Sequence, residues 1–268
     1  MNPFVFACIT PHGSEIIEEL AKPYPELMKK TRLSMESLGA SMKESNPDTI
    51  IVLTPHGTRI DEQFAIVNCE HMFGEMEDYG AKISMDRKVD RMLAGAIADH
   101  AKQKGLPVAT LGFATSEGPL SCMPLDWGVV VPLYFMPETS IVVITPSRSL
   151  SFEDHLLFGT AMAEAVAQSG KRVGLIASCD WSHAHDETGP YGFHEAARQL
   201  DEQVVTLLHT AHLEGMMQFE QEFIEHAKPD GIWQALMLAG AIAPNERKVE
   251  FLSYEVPTYF GLMCCAFH

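Results

Sequence analysis

The chain has 268 residues, 46% of them apolar, enough to bury one sizeable α/β core. Its formal charge of −17, from 19 Lys and Arg against 36 Asp and Glu, excludes nucleic acid and anionic membranes as expected partners, because both would be repelled. Six cysteines without a C-x-x-C pair, no uninterrupted apolar run of spanning length and no leader-like start lead us to expect a cytoplasmic protein with reduced thiols and no membrane span.

Phe4 to Ile9 reads as a buried strand running into Thr10-Pro11-His12-Gly13. Proline withholds a backbone donor and glycine permits unusual backbone angles, so the strand is expected to stop there and leave His12 at its carboxyl end. Ser14 is placed to cap a short helix over Glu15 to Leu20. Pro25 to Glu44 carries Leu27, Met28, Met35, Leu38 and Met42 at roughly helical spacing, as a crossover helix would. Asn46-Pro47-Asp48 breaks it and feeds a second strand, Thr49 to Leu53, completing a βαβ unit. That strand ends in a second Thr-Pro-His-Gly, Thr54 to Gly57.

Phe64 to Cys69 reads as another strand, followed by a loop through Gly74 and Gly80 with the acidic residues Glu75, Glu77 and Asp78. Asp86 to Lys104 reads as a helix stopped at Gly105, then a strand around Pro107 to Leu111. Gly112 to Val131 is a long connection of the kind that lines sites; it holds Pro124-Leu125-Asp126-Trp127-Gly128 and leads into Val129 to Phe135. Ser140 to Thr145 is a strand, Phe152 to Ser169 a helix, and Arg172 to Ser178 the next strand. A dense polar stretch follows, Cys179 to His194, containing Asp180-Trp181-Ser182-His183-Ala184-His185. Tyr191 to His226 is mostly helical, Asp230 precedes a helix over Ile232 to Ala241, and Lys248 to Pro257 and Tyr259 to Phe267 close the chain as strands. This alternation predicts an α/β fold, a three-layer α/β/α sandwich.

One histidine after a strand is ordinarily a loop residue. Two identical tetrapeptides in the same strand context suggest a paired site. Ligands of open α/β sheets bind outside the carboxyl ends of strands, and neighbouring ends would bring His12 and His56 together. Two convergent imidazoles suggest a metal. Ser182, His183 and His185 follow another apolar strand and would face the same side. Asp230 is placed equally well as a helix N-cap and as a metal ligand.

Taken in order, Pro11-His12-Gly13, His56, Pro124 to Leu133, Asp180-Trp181-Ser182-His183 and Asp230-Gly231 resemble the LigB-type class III extradiol dioxygenase family, whose relatives include the Memo-like proteins. The resemblance implies a single domain over 1–268 around a mixed, largely parallel sheet, often assembled as a homodimer and in some members joined by a small accessory subunit. It implies Fe(II) held by His12, His56 and a late carboxylate, here Asp230 with Glu255 and Glu225 as alternatives, and zinc can occupy the same ligands. His183 matches the family's acid/base histidine, with Asp180 and Ser182 placed to orient it and His185 as the competitor. The implied substrates are O2 and a small aromatic, a catechol or 2-aminophenol-like ring. Where ring-cleaving relatives show Asp-His-Gly this chain has Asp126-Trp127-Gly128, so Trp127 offers a stacking face to a planar substrate in place of a histidine. Metal-assisted hydrolysis and a Memo-like binding role are the alternatives. A carboxylated catechol would call for a local cation, Arg59 or Arg148.

Overall fold

The first strand, β1 (Phe6–Thr10), is buried at every residue, as an unbroken apolar run requires when both faces of a sheet are covered. The computed structural model describes residues 2–268. Two short 3₁₀ turns follow at Ser14–Ile16 and Glu18–Leu20; Ser14 caps neither, since its hydroxyl donates to Glu15 at 3.0 Å. Helix α1 (Lys29–Glu44) inserts Met35, Leu38 and Met42 into the core. It starts later than the apolar spacing predicts, because Pro23 and Pro25 disfavour helix before them and Met28 turns through a left-handed φ of 55°. Strands β2 (Thr49–Leu53) and β3 (Phe64–Val67) are again wholly buried.

The stretch read as an acidic loop is an antiparallel hairpin, β4 (His71–Asp78) and β5 (Ala81–Lys88), turning at Tyr79-Gly80. Its signal was the alternation of buried Met72 and Gly74 with exposed Phe73 and Glu75, hidden by residue types that favour loops. Asp86 to Lys88 therefore belong to a strand, and helix α2 (Arg91–Gln103) begins where Asp90 accepts the Leu93 N–H. Next come β6 (Val108–Leu111), β7 (Cys122–Pro124) and α3 (Trp127–Phe135). The last is apolar all round with Pro132 inside it, so it carries no helical periodicity. Then come β8 (Ser140–Thr145), α4 (Phe152–Ser169) and β9 (Val173–Ser178). Tyr191 to His226 divides into α5 (Glu195–His209), a turn at Leu213–Gln218 and α6 (Gln221–Ala227). Helix α7 (Ile232–Ala241) and strands β10 (Val249–Glu255) and β11 (Leu262–Phe267) complete the chain.

The main sheet runs β10-β11-β1-β9-β2-β8-β3-β6, with β1, β9, β2 and β8 parallel and β11 and β3 antiparallel to their central neighbours. Leu93, Phe158, Leu200 and Leu236, from α2, α4, α5 and α7, pack with Ile51 and Leu175 on one face. Met35 and Val130 of α1 and α3, with the small β5-β4-β7 sheet, pack with Cys8 and Ile176 on the other. This is a three-layer α/β/α sandwich around a mixed, largely parallel sheet. Among the described residues, no helix is long and apolar enough to cross a membrane. β1 and β2 are not neighbours, contrary to expectation: β9 lies between them, so three carboxyl ends stand in a row and His12, Asp180 and His56 all follow from them.

Helices α4 and α7 touch backbone to backbone. A Cβ on Gly240 would stand 1.9 Å from the Leu156 carbonyl oxygen, and one on Gly159 2.0 Å from that of Met237. Gly240→Ala is expected to destabilise the protein by about 2–3 kcal/mol, because helix backbones must separate; urea unfolding measures it. Asp90 ties α2 to the sheet through Thr49 at 2.6 Å and through Lys171. Burial alone would raise its carboxyl, but these partners and the Leu93 N–H hold it below its ordinary value. Its contribution is therefore present above the ordinary carboxylate range and lost as pH falls through its lowered folded-state value. Asp90→Ala should cost about 1–3 kcal/mol at pH 7, with the gap to wild type closing in acid unfolding series.

Candidate metal centre

Pro11 and Pro55 end their strands, and the loops beyond are tied by side chains from other elements. Asp180, just past β9, accepts the His12 main-chain N–H through Oδ1 at 2.9 Å, while its own N–H donates to Asp230 Oδ1 at 2.9 Å. Ser178 donates to the Gly128 carbonyl at 2.6 Å, so its hydroxyl oxygen is left to accept the Nδ1–H of His12 at 2.9 Å. That fixes the tautomer of a buried imidazole and leaves the Nε2 lone pair of His12 free. It faces His56 Nε2 at 3.0 Å and Oδ2 of both Asp180 and Asp230 at 3.3 Å, and His56 Nε2 stands 3.4 Å from Asp230 Oδ2.

This cluster concentrates negative charge out of water. Burial acts to lower the pKa of His12, yet Asp180 and Asp230 raise it to about 9. Burial likewise works against ionisation of Asp230, but His12 and His56 hold its carboxyl well below the usual range. Burial and the neighbouring Asp230 charge raise Asp180. Among the described residues no Lys or Arg pairs with either carboxylate. Buried carboxylates without a fixed cation, together with two imidazole nitrogens facing each other, are what a divalent ion would satisfy. Donor atoms 3.0–3.4 Å apart can all reach a common point at about 2.1 Å, the usual bond length for nitrogen and oxygen ligands. His12, His56 and Asp230 thus fit a two-histidine, one-carboxylate set.

His183 stands beside this set. Its Nδ1–H donates to the Lys228 carbonyl at 2.8 Å and its main-chain N–H to Ala227 at 2.9 Å, which leaves Nε2 as its basic atom. A ring nitrogen of His183 lies within 4.8 Å of oxygens of Asp180 and Asp230. Phe260 stacks on the imidazole at 5.4 Å. His12, His56, Asp180, His183 and Trp127 all line one cavity of about 790 Å³. A larger one, about 1000 Å³ beside His71 and Arg87, contains none of them.

The remaining candidates sit elsewhere. Asp230 does not cap α7; Gly231 holds that position and Asp230 Oδ1 is taken by Asp180. Glu255 accepts from Thr31, and Glu225 from Gln221. His185 Nε2 bonds the fully buried Asp201 at 2.9 Å, which Tyr254 also holds. Ser182 is buried, its hydroxyl has no hydrogen-bond partner and it does not line the cavity; the Lys228 carbonyl, not Ser182 or Asp180, orients His183 by hydrogen bond. Trp127 is half exposed but stacks on His56 at 4.2 Å, so one of its faces is already used. Sequence reasoning missed Ser178 and Lys228. Ser178 left a trace, a polar residue closing an apolar strand; Lys228 acts through its backbone and left none.

The sequence profile of the family described as the catalytic LigB subunit of aromatic ring-opening dioxygenase matches residues 6–262. Protein CA_C1420 of Clostridium acetobutylicum is 28% identical over 252 residues, which are 92% of this chain and 54% of that protein, so the chain spans about half the length of this relative. The 2-aminophenol 1,6-dioxygenase beta subunit of a Pseudomonas species is 24% identical over 220 residues, 74% of this chain and 70% of that subunit. In fold the chain is similar to the crystal structure of the uncharacterized protein JW3007 of Escherichia coli K12, with a TM-score of 0.62, 13% identity and coverage of 98% and 99% of the two chains. The profile match runs through both Pro-His-Gly loops, the Asp180–His183 segment and Asp230, and the chain belongs to the LigB family.

Proposed function

We propose that the chain is a non-haem Fe(II)-dependent extradiol dioxygenase that opens a catechol or 2-aminophenol-like ring with O2. The observation that carries this reading is the meeting of His12, His56 and Asp230 as one ligand set, with a separate His183 imidazole that lines the same cavity as the two ligand histidines. Iron, when bound by the three ligands, would template the diol and O2 and couple them electronically. Ser178 holds His12 in the ligating tautomer, and Asp180 fixes the main chain of His12 and the carboxylate of Asp230. His183 Nε2 takes a proton from a ring hydroxyl and returns it as the ring opens, its imidazole held in place by Lys228 and Phe260. The relative named as a 2-aminophenol 1,6-dioxygenase beta subunit supports the substrate class, and its subunit name supports an accessory chain beside the proposed homodimer.

Trp127 favours a second reading. Its ring covers His56 where ring-cleaving relatives carry a histidine, as would suit a binding protein that retains the metal without ring cleavage. Oxygen uptake by iron-loaded protein across a panel of catechols separates the two: uptake with a yellow ring-opened product supports cleavage, and none across the panel supports binding alone.

His12→Ala and His56→Ala, prepared anaerobically, should each lose most of their iron by elemental analysis; undiminished iron in both would overturn the ligand set. Iron-loaded His183→Ala should keep its metal and cleave about 10²- to 10⁴-fold more slowly in single turnover. His185→Ala, whose ring is bonded to Asp201, should turn over near the wild-type rate.

A further inference from the structure

The cavity over the metal ligands has two kinds of wall. One is aromatic: Tyr191, Tyr259 and Phe260 line it, as does Trp127, which stacks on His56. The other is anionic. Glu15 reaches in from the loop after β1, and Glu75, Glu77 and Asp78 come from the end of β4, the hairpin strand that the sequence disguised as a loop. No Lys or Arg side chain lines the cavity. Lys82 neutralises Glu75 at 2.6 Å, but Glu15, Glu77 and Asp78 form no ion pair among the described residues. Burial first, then Tyr191, Asp180 and Glu15, push the Tyr259 phenol above its ordinary value.

The two arginines that a carboxylated ring would call for stand near the site but not on the cavity wall, and Arg148 is within electrostatic reach of Asp230 and Tyr191. Neither Arg59 nor Arg148 lines the cavity, and the Arg148 guanidinium lies over the Trp233 ring at 4.5 Å. A carboxylate tail would enter a space already lined with carboxylates and meet no Lys or Arg on its wall. An ammonium tail would meet Glu77 and Glu15 for charge and Tyr191 and Tyr259 for cation–π contact.

Resting on the ring-cleavage reading, we infer that the substrate of this site is a catechol or aminophenol bearing an ammonium side arm, and not a carboxylated ring. The diol is held at the metal ligands and His183, and the arm points along the β4 wall. Glu77 and Glu15 set the selectivity and take no part in the chemistry.

The test compares three catechols that differ only at the end of a two-carbon arm: dopamine, 4-propylcatechol and 3-(3,4-dihydroxyphenyl)propionate. Each is titrated calorimetrically into iron-loaded protein without oxygen, and oxygen is then admitted and its uptake followed. Dopamine should bind tightest and the propionate weakest, with about a tenfold span or more at low salt that narrows as salt is added. Glu77→Gln should cut the preference for dopamine over 4-propylcatechol by about two- to fivefold, and Glu15→Gln with it further, while affinity for 4-propylcatechol holds. If the propionate binds as tightly as dopamine, or the double variant leaves the preference unchanged, the inference fails while the ring-cleavage reading stands. If the binding order holds but no oxygen is consumed with any of the three, ring cleavage fails and the selectivity of the cavity stands. If none of the three binds, both fail.

Discussion

The site depends on one two-way tie made by Asp180. Its carboxylate takes the main-chain N–H of His12 and its main-chain N–H goes to the carboxylate of Asp230, so a single residue after β9 fixes the loop after β1 and the entry to α7. Both bonds are buried and one partner in each is ionisable, which makes them stronger than neutral pairs and costly to leave unmade. The result is a cluster rich in buried carboxylate with its basic nitrogens turned inward. Such a cluster is stable only with protons or a cation shared among its members, and Asp180 and Asp230 act together to raise the His12 imidazole against the effect of its burial.

Two packing constraints put Asp180 and Asp230 where this tie can form. The strand order places β9 between β1 and β2, so the carboxyl end that carries Asp180 lies between the two that carry the histidines. Glycines at the α4–α7 crossing let the helix backbones touch, which seats the start of α7, and with it Asp230, against Cys179 and Asp180. The metal-binding set is thus a consequence of sheet order and helix approach, and neither can be read from the ligands themselves.

What the sequence made legible was whatever repeats or clusters locally. The buried strands stood out as apolar runs, α4 and α7 matched their observed bounds, and the paired tetrapeptides pointed at His12 and His56. The β4–β5 hairpin did not stand out, because Gly74, Glu75 and Asp78 are poor strand formers and only cross-strand pairing with β5 holds them extended. The helix α3 was equally hidden, its valines and Pro132 favouring almost any other reading. The orientation of His183 was beyond sequence reasoning for a different reason: it rests on the main-chain carbonyl of Lys228, at a left-handed turn that the lysine side chain does not announce.

The two Thr-Pro-His-Gly segments show how far identical residues leave a site undetermined. In the second, Thr54 accepts the His56 N–H at 3.2 Å and passes a bond to Asp126 at 2.8 Å, so the tetrapeptide is held largely by its own threonine. In the first, the Thr10 hydroxyl has no partner, and the His12 N–H is claimed by Asp180 from another strand. His12 is accordingly buried with its tautomer fixed, while the His56 side chain keeps 24% of its surface and leans on Trp127. The same four residues therefore supply a rigid inner donor and a more accessible outer one. That asymmetry opens the site on the His56 side, where Trp127 and the acidic end of β4 line the cavity.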